Sequence, residues 1–418
     1  MYSWGDISLR SENFLLVILL AIFWYGAIPV VGAFIERNKW RSFRRRFGEL
    51  RRKPHLDYAN LVANEGGEYR FHGVLESVSA NGILWIRSDG LTVQADIRKA
   101  RTYVFPNTGG EENPAVYDPG LEAPEKISWD RISGLTGEVK VFVGGLLIKK
   151  EGRHIFASGP ETPLMVIFYE GSEKALSVRT VRAGRHRNEY FNFLTPYAFI
   201  LGAFSQILIA ITYLSRPVYR STLISALIAF FTPILPWIPP GILFTIIYRR
   251  LWFEARICRV YRDLARLPLA YFSASNTAAG IIATGKFAAD SGTINPKAEP
   301  KVQLPNGETF VIRSFENLPS TSNEKPLSFF IPANQKHRGD KWYVFGTLPN
   351  EGTFPTEPAD SFAVPGILPG DPELLAKRYT RKAYFLEIVS WLFLLSGIIA
   401  NVLFIAFILA QFGIRLTV

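Results

Sequence analysis

One glycine-flanked stretch has nearly the spacing of a phosphate-binding loop. Gly280 and Gly285 are separated by four residues and followed by Lys286, the order in which such a loop presents main-chain N–H groups and an ammonium to a nucleotide. Phe287 then stands where the Ser or Thr that binds magnesium would be, and no apolar strand ending in Asp follows at a suitable distance. We interpret the stretch as the first strand of a β-domain, not as a nucleotide site.

Other catalytic and metal-binding arrangements find little support. The single cysteine, Cys258, excludes an intramolecular disulfide and a cysteine metal cage. The five histidines include no pair at the i, i+4 spacing of a metal site. Trp129-Asp130-Arg131 sets an acid and a base beside an aromatic ring, and a structural pair at a turn explains it better than catalysis. We therefore predict no catalytic residues, no metal site and no cofactor.

A basic cluster precedes the second apolar run of the chain. It contains Arg185, His186 and Arg187, with Glu189 three residues after the histidine. The simpler interpretation is a basic membrane flank with a cap at a helix start. The functional alternative is that Arg185, His186 and Arg187 bind an anionic lipid headgroup. If the protein were a lipid-acting enzyme, His186 and Glu189 would be the best candidates for its chemistry.

Four apolar runs are long enough to cross a bilayer, which takes about 20 helical residues. The composition, 48% hydrophobic and 14% aromatic, agrees with a membrane protein. The first run follows no basic segment and is too long for the core of a signal peptide, so we expect it to remain as a helix. The predicted transmembrane helices are residues 13–35, 196–214, 222–248 and 383–412.

The third run is interrupted by four prolines, Pro233, Pro236, Pro239 and Pro240. Proline removes a helical hydrogen bond, so the freed carbonyl groups need partners from neighbouring helices or water. A kinked helix or a short re-entrant turn is the simpler interpretation, and a hinge or ion-binding break is the functional one. Gln206 and Asn401 lie inside apolar runs, and we expect each to bond to another helix.

The distribution of Lys and Arg predicts how the chain crosses the membrane. The net charge is +11, and most of the positive residues flank the apolar runs on the sides of the two large loops. By the positive-inside rule, the termini and the 215–221 hairpin face outward and both loops face the cytoplasm. The excess charge is thereby explained without nucleic acid. We predict a bacterial cytoplasmic (inner) membrane as the location.

Each large loop begins with a basic amphipathic segment, at residues 36–54 and 249–267. Phe43, Phe47 and Leu50 recur at helical spacing in the first, with basic residues on the other faces. Such helices suit the surface of an anionic inner leaflet. The residues predicted to bind that surface are Arg44, Arg45, Arg46, Arg51, Arg52, Arg259, Arg262 and Arg266.

Strand-like patterns follow each basic segment and define two β-domains, at residues 56–185 and 280–370. Asn81-Gly82 and Asn306-Gly307 are hairpin turns. Seven or eight short strands in the first domain suggest a small barrel or sandwich. They are expected at 69–78, 83–86, 91–97, 102–105, 138–150, 154–156, 164–169 and 176–181. In the second domain they are expected at 281–288, 301–304, 309–312, 327–331 and 342–345.

The two halves share an order of features. Arg45–Pro54 and Arg259–Pro268 both place Arg, an aromatic residue, an acid, Leu, Arg and Pro at the same offsets. Each stretch follows an apolar run and precedes a β-domain. We therefore predict a tandem parallel duplication: a membrane α-helical protein with four transmembrane helices and two small all-β cytoplasmic domains.

Several of these stretches also carry a family likeness. The strands around Gly73-Val74-Leu75 and Gly285-Lys286-Phe287 contribute, as does the Trp342–Leu348 strand followed by Glu373–Lys382 and a helix containing Gly397. The unit resembles the membrane-bound β-domain family of the GIDE-type mitochondrial ubiquitin ligases and their bacterial relatives. Those ligases need a cysteine-rich RING domain, which this chain lacks. The resemblance implies a binding or scaffolding module held against a membrane, without ligase activity.

Three functions remain open from the sequence. The preferred one is a non-enzymatic membrane protein whose β-modules bind a protein partner or act as a scaffold. The first alternative is a transport or channel component that uses the proline-broken helix, and the second is a membrane-embedded enzyme that acts on lipids. The expected partners are the anionic inner leaflet and an unidentified protein, and homo-oligomerisation is left open.

Overall fold

The computed structural model describes residues 4–63, 66–88, 90–106, 121–134, 139–150, 152–159, 162–216, 219–272, 301–316, 341–348 and 354–411. The chain forms two units. A helical unit comprises Met1–Arg41, Arg187–Arg256 and Arg381–Val418, and a β-rich unit comprises Ser42–His186 and Ile257–Thr380. The strands of both expected β-domains fall within the β-rich unit.

The helices in the described ranges are α1 (Trp4–Ile22), α2 (Ile28–Leu50), α3 (Tyr58–Ala63), α4 (Glu173–Arg182), α5 (Thr195–Leu214), α6 (Arg220–Phe231), α7 (Gly241–Arg266) and α8 (Pro372–Gln411). A π-helical turn, Phe23–Ala27, joins α1 to α2, and short 3-10 turns lie at Trp129–Gly134 and Leu235–Trp237. The strands are β1 (Gly67–Val78), β2 (Ile83–Ser88), β3 (Leu91–Asp96), β4 (Arg101–Val104), β5 (Glu125–Ile127), β6 (Lys140–Lys150), β7 (Arg153–Ala157), β8 (Met165–Tyr169), β9 (Lys301–Gln303), β10 (Thr309–Phe315), β11 (Trp342–Thr347) and β12 (Gly366–Pro369).

Three helical stretches in the described part of the chain have the length and apolar composition needed to cross a membrane. They are Asn13–Leu50, Thr195–Leu214 and Pro372–Ile405, and they mark the chain as a membrane protein. The 222–248 run is broken at its prolines, as the sequence predicts. Helix α6 ends at Phe231 and α7 begins at Gly241, because the prolines between them cannot supply helical N–H donors.

The first sheet is barrel-like. It has eight strands in the order β1-β2-β3-β7-β6-β8-β4-β5, and a further pairing of β1 with β6 closes five of them on themselves. The turn at Gly82, where φ is 74°, joins β1 to β2 as the Asn-Gly pair predicts. Alternate apolar side chains such as Phe71, Ile86, Val143 and Phe168 point into one buried core.

The apolar face of α2 packs on this sheet. The Phe43 ring lies 4.5 Å from that of Tyr103, and the Phe47 ring lies 5.2 Å from that of Phe142. A Cβ at Gly144 would come 2.8 Å from Leu50 Cδ1, so the strand fits closely under the helix. These residues of the predicted surface helix therefore cover the β-sheet, and their apolar side chains are not available to a bilayer.

The second sheet has four antiparallel strands in the order β12-β11-β10-β9. Its core includes Trp342, Val344 and Ile367. The expected strands at 301–304, 309–312 and 342–345 are present, whereas those at 281–288 and 327–331, together with the Gly280–Lys286 stretch, lie outside the described residues.

One expected strand is a helix. Residues 176–181 belong to α4, which begins after Ser172, whose hydroxyl accepts a hydrogen bond from Ala175 N. Every residue from 176 to 181 is buried. A short run that is buried on all sides has no period that separates strand from helix, so the cap at Ser172 is the better local signal.

Candidate functional site: a polar layer and an apolar cavity in the helical unit

Three of the arginines predicted to bind a membrane surface are buried. Arg51 is 1% exposed, and its guanidinium lies 5.1 Å from the centre of the Tyr271 ring. Arg46 is buried and pairs with Glu68 at 2.7 Å, and Arg259 is buried as well. The prediction needs correction here, because a buried guanidinium has no surface to offer lipid.

The other five arginines vary in exposure. Arg44, Arg52 and Arg262 are half-buried and donate hydrogen bonds within the β-rich unit. Arg45 and Arg266 are exposed. The predicted surface role therefore stays open mainly for Arg45 and Arg266.

Two residues of the predicted headgroup cluster contact other parts of the protein. Arg185 is buried and forms an ion pair with Asp263, and His186 Nδ1 lies 2.7 Å from the main-chain oxygen of Glu122. Burial raises the pKa of Asp263, but the guanidiniums of Arg185 and Arg262 outweigh that effect and hold the pKa below its ordinary value. Arg185 thus stabilises the fold and is not a headgroup ligand.

The break between α6 and α7 is closed by polar side chains. Asn401 of α8 donates from Nδ2 to the main-chain oxygens of Leu235 and Ile238, the latter at 3.0 Å. Thr245 Oγ1 donates to the main-chain oxygen of Pro236 at 2.7 Å. The freed carbonyl groups therefore have protein partners, and Asn401 bonds to another helix as expected. Gln206 likewise donates to the main-chain oxygen of Val17 in α1, at 3.3 Å.

A partly buried ion cluster lies around Glu189. Arg37 donates to Glu189 Oε2 from Nη2 at 2.5 Å, and Arg256 donates to both carboxylate oxygens at 3.0 and 2.9 Å. Arg256 also lies 3.8 Å from Glu387 Oε1 and over the ring of Trp252. Four charged groups from separate segments thereby neutralise one another, and they line a small cavity of about 140 Å³.

The electrostatics of this cluster define what Glu189 can do. Burial raises the pKa of Glu189, but the charges of Arg256 and Arg37 overcome the effect and hold the pKa below its ordinary value. A carboxylate held ionised by two guanidiniums is a poor proton acceptor. Glu189 is therefore poorly suited to act as a base in this arrangement, and its geometry is that of a structural anchor.

A larger cavity lies beside the loop that contains Asn188 and Tyr190. Its volume is about 330 Å³, and its lining is predominantly apolar. Two of the predicted hinge prolines, Pro233 and Pro236, line it, so the break in the third run shapes a cavity wall. The other lining residues are Tyr25, Asn188, Tyr190, Phe191, Phe199, Thr232, Trp237, Thr245, Tyr248, Arg249, Leu394 and Ile398. Pro239 and Pro240 are not among the lining residues.

Aromatic and amide groups hold the loop at this cavity. Tyr190 packs edge-on against Trp391 with 5.7 Å between ring centres, and its hydroxyl donates to the main-chain oxygen of Tyr25. Asn188 Nδ2 donates to the hydroxyl of Tyr248 at 2.6 Å. The spacing of these residues in the sequence gave no signal of the cavity, because they come from segments more than 50 residues apart.

The chain matches no protein-family model, no curated protein and no solved structure.

Proposed function

We propose that the protein is a non-enzymatic integral membrane protein that presents its β-rich unit to a protein partner. The supporting observation is how the two sheets are joined. Arg70 of β1 lies 2.5 Å from Asp360, which precedes β12, and both side chains are buried. Phe362 contacts the rings of Phe47 and Phe142. A binding surface built on both sheets would thus be fixed before its partner arrives, which lowers the entropic cost of binding.

An exposed apolar face supports the same proposal. Tyr58 and Val62 of α3 are 73% and 63% exposed, and their spacing of four puts them on one side of the helix. Leu61 of the same helix packs against the barrel core, which anchors α3. Exposed aromatic and aliphatic neighbours on a fixed helix are suited to contact with a partner.

The test compares partner capture by variants of the full-length protein in native membranes. After mild crosslinking, wild type should retain a defined protein that Tyr58→Ser/Val62→Ser loses. Leu374→Ser is the matched control, since Leu374 is 58% exposed in α8 of the same unit, and it should retain the partner. Equal capture by all three proteins, or turnover of a nucleotide, lipid or peptide by the purified protein, would contradict the proposal.

The membrane arrangement is part of the proposal. The apolar α6 and the apolar start of α7 together supply a broken third crossing, which makes four. With the positive flanks on one side, both large loops then face the cytoplasm of a bacterial cell. Reporter fusions after Gly110 and after Asn323 should both read as cytoplasmic, and an external reading from either would overturn the orientation.

A tandem duplication accounts for the shared order of the two halves. Helices α2 and α7 each carry the Arg–aromatic–acid–Leu part of the shared stretch, and each precedes an antiparallel pair of strands. The module role also agrees with the binding function implied by the resemblance to membrane-bound β-domains. Arg45 and Arg266 are the residues we assign to the anionic inner leaflet, and self-association is left to the crosslinking experiment.

The two alternative functions have less support. A transporter that coordinates ions at a helix break needs carbonyl groups that are free to bind them. Here Asn401 and Thr245 occupy the main-chain oxygens of Leu235, Pro236 and Ile238. A lipid-acting enzyme would need a base, and two guanidiniums hold the carboxylate of Glu189.

A further inference from the structure

The 330 Å³ cavity of the helical unit has the dimensions and lining of a ligand site. Small-molecule pockets range from about 300 to 1,000 Å³ and are mostly apolar with a few polar groups. Phe199 of α5 and Leu394 and Ile398 of α8 belong to predicted transmembrane runs, so this part of the cavity lies at hydrocarbon depth. An apolar chain is the chemistry that such walls accept.

The polar groups are confined to a few residues. Arg249 is the first charged residue after the apolar 222–248 run, which places it where the hydrocarbon core gives way to headgroups. It is exposed and has no ion pair within the described ranges. No acidic residue lines the cavity, so the charge of Arg249 favours an anionic ligand.

Tyr25 supplies a second, independent polar group. It lines the cavity and is 7% exposed, yet its hydroxyl has no hydrogen-bond partner in the described structure. A buried hydroxyl without a partner costs free energy that a bound acceptor would recover. Tyr25 lies in the π-helical turn Phe23–Ala27, and such turns occur frequently at functional sites.

We infer that the cavity binds one anionic phospholipid. Its phosphate lies at Arg249, an ester carbonyl accepts a hydrogen bond from the Tyr25 hydroxyl, and one acyl chain lies against Phe199, Leu394 and Ile398. A phospholipid has both kinds of acceptor, a charged phosphate and ester carbonyls, ahead of an apolar chain. A free fatty acid offers a single carboxylate, whereas a phospholipid supplies a separate acceptor for each of Arg249 and Tyr25.

Native mass spectrometry of the full-length protein in detergent tests this site. The protein is titrated separately with phosphatidylglycerol, phosphatidylcholine and palmitate. We expect one phosphatidylglycerol to bind with high occupancy, and the other two to bind at least about tenfold more weakly, because Arg249 repels the choline cation that offsets the phosphate charge of phosphatidylcholine, and palmitate lacks the ester contact. Equal binding of phosphatidylcholine would overturn the assignment of Arg249, and tighter binding of palmitate would overturn the phospholipid.

Neighbouring residues provide matched controls for the charge. Arg249→Gln should weaken phosphatidylglycerol binding about tenfold or more, through loss of a charge-assisted hydrogen bond. Arg250→Gln should leave it unchanged, because Arg250 is exposed, pairs with Glu254 at 3.7 Å and does not line the cavity. Equal losses in the two variants would show that general surface charge, and not this site, attracts the lipid.

Two further variants test the interior. Ile398→Trp fills the cavity and should abolish the single bound lipid, whereas Ile399→Trp, at a position 58% exposed on the same helix, should not. Tyr25→Phe should weaken binding about threefold to tenfold, the effect of one hydrogen bond, without lowering the stability of the lipid-free protein. Full binding by Ile398→Trp would overturn the site. If Ile398→Trp does not fold, full binding by Tyr25→Phe would overturn it instead.

Discussion

Asn401 Nδ2 lies 3.0 Å from the main-chain oxygen of Ile238, and the two residues are 163 positions apart in the chain. The same amide also binds the oxygen of Leu235. One amide side chain in the apolar part of α8 thereby satisfies the backbone at the proline break between α6 and α7. Without water at that depth, few other groups could do so.

Replacing Asn401 with Leu should destabilise the helical unit by about 1–2 kcal/mol, since carbonyl groups would lose their donor. Gln206→Leu is the matched control. Gln206 makes one long hydrogen bond to Val17, and its Oε1 is buried without a partner. Its loss should therefore be close to neutral. Unfolding in mixed micelles measures both, and an equal loss in the two variants would contradict the role of Asn401.

Gly32→Ala should destabilise the protein by about 1–3 kcal/mol, because extra volume at a close contact strains the packing. A Cβ at Gly32 would lie 2.0 Å from Asn192 Oδ1, and Asn192 is itself held by a 2.7 Å hydrogen bond to the oxygen of Pro29. Gly26→Ala is the control, since nothing lies within 4 Å of its Cβ position. Thermal unfolding should separate the two variants, and similar melting temperatures would count against this packing.

Glu189→Gln should cost about 3 kcal/mol, because it leaves the buried Arg256 and the half-buried Arg37 without their shared countercharge. Glu254→Gln removes an acid from a pair with Arg250 that is mostly exposed, and should have a much smaller effect. Denaturant unfolding of the detergent-solubilised protein provides the comparison. A loss for Glu189→Gln no greater than for the control would show that the cluster does not stabilise the unit.

Asp360→Asn should destabilise the β-rich unit by about 3 kcal/mol, since Arg70 would remain buried without an acid. The Arg98–Asp96 pair has the same 2.5 Å separation but is exposed, so Asp96→Asn should have no comparable effect. A double-mutant cycle with Arg70→Met should give a coupling energy well above zero. Additive losses would mean that the pair does not join the two sheets.

The β-rich unit should lose stability as the pH falls from about 6.5 to about 4. Burial, with smaller contributions from His72 and Arg70, lowers the pKa of His55 to about 4. In that window the unfolded chain binds a proton at His55 that the folded chain does not, so protonation favours unfolding. His55→Gln should flatten this part of the stability profile measured by thermal unfolding. Parallel profiles for wild type and variant would rule out His55 as the cause.

Much of the β-rich unit could be predicted because its signals are local. Strands are present at the alternating 69–78 segment and at the apolar 164–169 run. The Asn-Gly turn before Ile83 joins β1 to β2. The strand predicted at 176–181 was wrong, because this segment is a helix buried on every side and shows no helical period. Strands β5 and β12 are short, at three and four residues, and they have too little sequence for a period to appear.

The sequence by itself determined the apolar helices, the proline break and the positions of the turns, because each depends on nearby residues. Tertiary structure decided what those elements contact. The apolar face of α2 packs against Tyr103 and Phe142 of the first sheet. Its amphipathic pattern alone fitted a lipid surface equally well. Tertiary structure also placed Tyr25, Arg249 and Ile398 around one cavity, because long-range packing, which no local pattern encodes, brings such distant residues together.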